Sequence, residues 1–138
     1  MPAKDRYHAA VKHALEKDGW TITHDRYTLT FGIKDVYVDL GAERVLAAEK
    51  GNEKIAVEIK TFLSASDMRD LEAALGQYVL YRSLLARIEP ERKLFLAVPF
   101  SAFLTTFDEP IARPALEDLA VNLIAFDPRE ESIIKWKS

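Results

Sequence analysis

The run Lys93-Leu94-Phe95-Leu96-Ala97-Val98 constrains the fold more than any other stretch of this chain. Side chains alternate across a strand, so a nearly continuous apolar run needs apolar cover on both faces. That places it in the middle of a sheet with helices on either side. A second strand-like run, Ile55-Ala56-Val57-Glu58-Ile59-Lys60, brings charge into similar surroundings. Glu58 and Lys60 share one face there, while Val57 and Ile59 point to the other.

The remaining elements follow from local pattern. Pro2 and Gly19 bracket a first helix with Tyr7, Ala10, Val11, Ala14 and Leu15 as its apolar stripe. Period two sets in at Trp20–Thr23 and continues through Tyr27–Phe31 and Val36–Leu40, with Gly32 between the last two. Val45–Lys50 and Lys54–Lys60 predict a hairpin turning at Gly51-Asn52, residues that tolerate the positive φ of a tight turn. Ser64 to Ser66 offer caps for a long helix reaching about Arg87, burying Leu71, Leu75, Tyr78, Val79 and Leu85. Phe100–Leu119 reads as short helices broken by Pro110 and Pro114, and Val121–Phe126 and Ser132–Trp136 as closing strands. The expectation is one α/β domain over residues 1–138, with a mixed central sheet flanked by helices.

Composition excludes some chemistry. With no cysteine, disulfides, thiolate zinc sites and cysteine nucleophiles are ruled out. No apolar run approaches the roughly 18 residues of a membrane helix, and Met-Pro-Ala-Lys-Asp lacks a leader's apolar stretch, so a cytoplasmic location is expected. A net charge of −3 argues against coating nucleic acid by bulk electrostatics, but does not exclude a nuclease, whose acidic site is negative until metal binds. Lys50, Lys54, Arg69, Arg82, Arg87, Arg92 and Lys93 are local cations available to such a protein. No glycine-rich phosphate loop or serine elbow occurs, and His8, His13 and His24 form no ligand pattern. Phe95, Phe100, Phe103, Phe107 and Phe126 read as core, the Phe100–Phe107 group alternatively as cover for a dimer interface.

Glu58 and Lys60 are the leading candidates for chemistry. A carboxylate supplies oxygen to a hard cation, and Mg²⁺ takes only one or two protein carboxylates, so a sparse acidic site is sufficient. An ammonium beside it can orient an attacking water or offset charge building on a phosphate. The competing reading is a solvated strand face with a weak ion pair. Asp39, after Val36-Tyr37-Val38, ends an apolar strand where ligands can converge, although an aspartate before Leu40-Gly41 also suits a turn. If Gly51-Asn52 is a two-residue turn, Val45 faces Glu58 and Asp39 lies about 20 Å further along a straight strand. A bend at Gly41 would then be needed, with Glu43, opposite Lys60 in that register, as the substitute ligand and Glu49 less suited. Gln77 and Tyr81, at i and i+4 on the long helix, project from one side and suit either a water or phosphate contact or an ordinary polar face.

Asp39, Glu58-Ile59-Lys60 and Gln77-x-x-x-Tyr81, in an α-β-β-β-α-β order, together resemble the PD-(D/E)XK nuclease superfamily and its restriction-endonuclease-like core. Along nearly its whole length the chain also resembles the XisH-like family, the fdxN element excision controlling factors of cyanobacteria. The matching stretches include Lys17-Asp18-Gly19-Trp20-Thr21-Ile22-Thr23, Asp39-Leu40-Gly41-Ala42-Glu43 and Lys54-Ile55-Ala56-Val57-Glu58-Ile59-Lys60. Ala74-Leu75-Gly76-Gln77-Tyr78, Leu96-Ala97-Val98-Pro99 and Phe126-Asp127-Pro128 continue them.

The resemblance implies that Asp39 and Glu58 bind Mg²⁺ or Mn²⁺, that Lys60 is catalytic and that Gln77 assists. It further implies site-specific DNA excision during heterocyst differentiation, alongside a recombinase and an XisI-like partner. A homodimer is expected on the ground that cutting two strands is easiest with two sites. The alternative is a nuclease-like scaffold without cleavage that controls excision by binding DNA or a recombinase. No first-helix metal ligand is assigned, since Glu16 is the only glutamate there and lies near its end.

Overall fold

Ala10, Val11, Ala14 and Leu15 recur at helical spacing and are all buried on α1 (Ala3–Lys17). The structure, a computed structural model, describes residues 3–45 and 52–138. Gly19 ends α1 at φ 91°, its N–H donating to the Glu16 carbonyl (3.1 Å) and the Trp20 N–H to the Leu15 carbonyl (3.0 Å). A Schellman closure of this kind needs a left-handed residue, which glycine supplies without Cβ strain.

The chain then builds β1 (Thr21–His24), a hairpin of β2 (Tyr27–Phe31) and β3 (Lys34–Val38), and the strands β4 (Leu40–Val45) and β5 (Asn52–Ile59). The long helix α2 (Asp67–Ile88) crosses over to β6 (Arg92–Pro99). α3 (Phe100–Leu104), a 3-10 turn (Thr106–Asp108) and α4 (Arg113–Leu119) lead to β7 (Leu123–Asp127) and β8 (Ser132–Lys137). Six strands form one mixed sheet in the order β1-β4-β5-β6-β7-β8, while β2 and β3 pair only with each other. β5–β6 and β6–β7 are parallel, and the other neighbours are antiparallel.

Both faces of the sheet are covered. On one, Val11 and Leu15 of α1 pack with Leu40, Val57, Ala97 and Ile124. On the other, Ala56, Leu96 and Val98 meet Leu71, Ala74, Tyr78 and Leu85 of α2, together with Leu29 and Val38 of the hairpin. Leu96, Val57 and Ile124 are fully buried, each worth about 1.5–3 kcal/mol of apolar transfer. The central position expected for Lys93–Val98 is the one β6 occupies. Ser66 caps α2, accepting from the Arg69 N–H at 3.2 Å, as the serine cluster suggested.

Several expectations change. Val79 is exposed, and Ala74 takes its place on the buried face of α2. Pro114 sits in the first turn of α4, where its missing N–H costs nothing, rather than breaking the helix. The expected strand Val36–Leu40 is divided at Asp39 between β3 and β4. The largest change is register: Val45 pairs with Asn52 and Leu40 with Val57, so Asn52 is a paired strand residue, not part of a two-residue turn, and Glu58 does not face Val45. The expected strand beyond Val45, with Glu49 and Lys50, falls outside the described residues, as does Pro2. No described helix is long and apolar enough to cross a membrane.

Candidate functional site

The observed register brings Asp39 beside Glu58. With Leu40 opposite Val57, the next residue back on β4's side stands against the next residue forward on β5. Two cross-strand bonds fix the pair. The Asp39 N–H donates to Glu58 Oε1 at 3.3 Å, and the Ile59 N–H donates to Asp39 Oδ2 at 2.7 Å. No bend at Gly41 is required. Gly41 has a different duty: a Cβ there would lie 3.0–3.2 Å from His24 and Tyr27, whose rings pack edge to face above it.

Glu58 is the least comfortable charge in the described chain. Only 7% exposed, it faces α2 with Ala56. Its pKa is pushed up to about 7, first by burial and then by the neighbouring Asp39 carboxylate. Lys60 opposes that rise, with Nζ 3.5 Å from Glu58 Oε2. Lys60 also continues the parallel ladder, its N–H donating to the Ala97 carbonyl at 2.9 Å. Two carboxylates and one ammonium therefore share a largely desolvated spot, leaving a deficit of positive charge.

α2 provides the wall. The Tyr81 phenol, half-buried, has its pKa raised by burial and then by the charges of Glu58 and Asp39, which places it in their field. Gln77 lies one turn earlier on the same side, and its buried Oε1 accepts no hydrogen bond from the described residues. Asp39, Glu58 and Lys60 are thus joined by direct contacts, while Gln77, on α2, bonds to none of them.

Glu43 is not part of this site, contrary to its expected role as substitute ligand. It pairs with Lys54 in register, not Lys60, and its Oε1 lies 3.4 Å from Arg92 Nη2. The same finding corrects Arg92 and Lys54 as free surface cations. Arg92 is 4% exposed and reaches Glu89 (2.7 Å) and the Ile55 carbonyl (2.9 Å), while Lys54 lies 3.5 Å from Glu89. Arg82 donates to the Leu119 carbonyl and Arg87 to that of Ser83. Sequence reading missed this second cluster. The available signal was an arginine at the head of an apolar run, level with Lys54 on the neighbouring strand. His8 is held by Asp25 at 2.8 Å, away from the Asp39–Glu58 contacts.

Whether the site suits a cation rests on its donors. Among the described residues no group of three or more His, Cys, Asp and Glu converges. What is present is two carboxylates, one of them buried, answered by the single ammonium of Lys60, with an unpartnered amide oxygen on α2, all three oxygen groups hard donors. That set fits Mg²⁺ or Mn²⁺, which bind through few protein oxygens and keep several waters. It does not fit a closed structural zinc site.

Known proteins bear on the chain as a whole. It is similar to the crystal structure of an XisH family protein from Nostoc punctiforme PCC 73102, at 39% identity and a TM-score of 0.88, covering 97% of this chain and 100% of that one. It is equally similar in fold to an fdxN element excision controlling factor protein from Anabaena variabilis, at 37% identity and a TM-score of 0.88, covering 97% and 99%. No curated protein matches. The family described as XisH protein matches residues 1–134, so the chain belongs to the XisH family.

Proposed function

We propose that this protein is a DNA excision controlling factor with a restriction-endonuclease-like core that hydrolyses DNA phosphodiesters with a divalent metal. The observation that carries the reading is the Asp39–Glu58 pair, a buried carboxyl and a half-buried one held together with only Lys60 to answer them. A structural role would be served better by a neutral or fully paired group. A site awaiting a cation is built in this way. Asp39 and Glu58 would hold Mg²⁺ or Mn²⁺, with the Ile59 carbonyl as a further oxygen, and the bound ion supplies Lewis-acid polarisation of water and phosphate. Lys60 stands where it can orient the water or offset charge on the phosphoryl oxygens, and Gln77 and Tyr81 can hydrogen-bond to the same groups. The reaction adds water across a P–O bond, leaving one phosphate-ended and one hydroxyl-ended strand.

The relative from Anabaena variabilis is named for excision of the fdxN element, and we carry that role to this chain as part of the proposal. DNA is then the substrate, and a site-specific recombinase, an XisI-like protein and a second copy of the chain are its proposed partners. A scaffold that binds DNA or a recombinase without cutting is the second reading, favoured by the net charge of −3 and the two-carboxylate site.

Incubating supercoiled, branched and linear DNA with Mg²⁺ or Mn²⁺ decides between them. Wild type is expected to nick, and Glu58→Ala or Lys60→Ala to lose at least about 100-fold in rate, the scale of removing one transition-state contact. Nicking that survives both substitutions would remove the chemistry from this site. DNA binding without nicking by wild type would favour the scaffold.

A further inference from the structure

A cleft of about 270 Å³ opens on the α1 face of the sheet, the face away from Glu58. Trp20, Phe95 and Trp136 form its aromatic wall, with Asp18, Arg44 and Lys93 around it. The rings pack as an indole pair tilted by 30° at 5.7 Å, with Phe95 edge-on to Trp136 at 5.2 Å. Most polar groups here have partners. Trp136 Nε1–H donates to Asp18 Oδ2 at 2.9 Å, and Arg44 donates through Nε and Nη2 to Glu53 Oε1. Trp20 is the exception: 5% exposed, it has a buried Nε1–H with no acceptor among the described residues. A buried donor left unpaired is destabilising, so an acceptor that reaches it is favoured.

We propose that this cleft binds a single nucleobase, whether of a free nucleotide or of an unpaired position in a strand. Three features select that class. The charged groups balance, Arg44 and Lys93 against Asp18 and Glu53, so the cleft has no net field for a bare anion. The wall is aromatic, suited to a flat ring. The polar groups include both donors and carboxylate acceptors, as the edge of a base requires. The Arg44 guanidinium, 4.6 Å over the Trp20 ring, lines the cleft and moves aside for a base that meets the edge of that indole. Its pair with Glu53 is more than a third exposed, so swinging it aside costs little. Lys93 at the rim then meets the phosphate.

Trp20 and Trp136 are the chain's two tryptophans, so fluorescence and the two indole N–H NMR signals report on this cleft alone. Wild-type protein is titrated with nucleoside 5′-monophosphates, with ribose 5-phosphate, and with a short single-stranded oligonucleotide. The expected result is quenching by the nucleotides, a downfield shift of the Trp20 indole proton, and no response to ribose 5-phosphate. Trp20→Phe, which keeps an aromatic ring and removes the donor, should weaken binding about tenfold. Response to the oligonucleotide alone would assign the base to a strand, and response to both would admit free nucleotides. A Trp20 signal left unshifted by both nucleotide and oligonucleotide, equal binding of ribose 5-phosphate, or undiminished binding by Trp20→Phe would each overturn the proposal. The indole shift is read on wild type and decides the matter even if the variant fails to fold. The metal-dependent nicking assay does not involve this cleft, so the two proposals stand or fall separately.

Discussion

Two charged clusters lie on the α2 face of the sheet, built on the same neighbouring strands, and they differ in one respect. Glu43 and Lys54 belong to one, Asp39 and Glu58 to the other, four residues or about 13 Å away along each strand. In the first, Arg92 and Lys54 answer Glu89 and Glu43, and Tyr27 donates to Glu89 at 2.5 Å. Hydrogen bonds from Arg92 lead in holding Glu89 down to about 2, while burial and the Glu89 charge push the Tyr27 phenol up to about 12. In the second cluster, Lys60 alone among the described residues answers two carboxylates, and Glu58 rises to about 7. Similar groups on a common scaffold thus give carboxylates of opposite character, according to how many cations reach them. The first cluster is a finished structural joint, and the second is open.

Stability measurements can break this contrast. The largest expected effect is from Arg92→Met, which keeps volume but strips Glu89 and Glu43 of their main partner. We expect a loss of about 3–5 kcal/mol in urea unfolding at pH 7. Removing a charge from the other cluster should act in reverse. Glu58→Gln is expected to stabilise the metal-free protein by on the order of 2–3 kcal/mol above pH 7. The sign follows from linkage. Folded Glu58 keeps its proton up to about 7, against 4.5 when unfolded, so its contribution is fully present below about 4.5 and lost as pH rises to about 7. The gain from Glu58→Gln should therefore vanish in acid. Glu89 behaves oppositely, stabilising fully above about 4.5 and losing that contribution as pH falls towards 2. If Glu58→Gln destabilises at neutral pH as Arg92→Met does, the two clusters are alike after all. Tyr27→Phe should give the smallest change, about 1 kcal/mol, because Arg92 still holds Glu89.

Much of the fold was legible because apolar pattern reports directly on cover. Lys93–Val98 announced a central strand, and the Ser64–Ser66 cluster announced the start of α2. Asp39, Glu58 and Lys60 were legible as residues, but the register joining them was not. The expected partner of Glu58 was Val45 and the observed one is Asp39, six residues away. An even shift leaves every side chain on the same face, so alternation fixes register only modulo two, and turn length must supply the rest. Gly51-Asn52 suggested a short turn that the pairing of Val45 with Asn52 excludes. The role of Gly41 was illegible for a related reason: what crowds it are His24 and Tyr27, brought there by tertiary packing.

The cross-strand bonds at Asp39 and Ile59 carry one more consequence. Each candidate ligand is moored to the other's strand, so the gap between the two carboxylates is set by the spacing of the sheet and not by the wandering of a loop. The metal ion proposed above would find its berth already assembled and would not need to freeze anything to be gripped. One too large for that gap would have to pry two strands apart, which makes the sheet itself a gauge of ionic size.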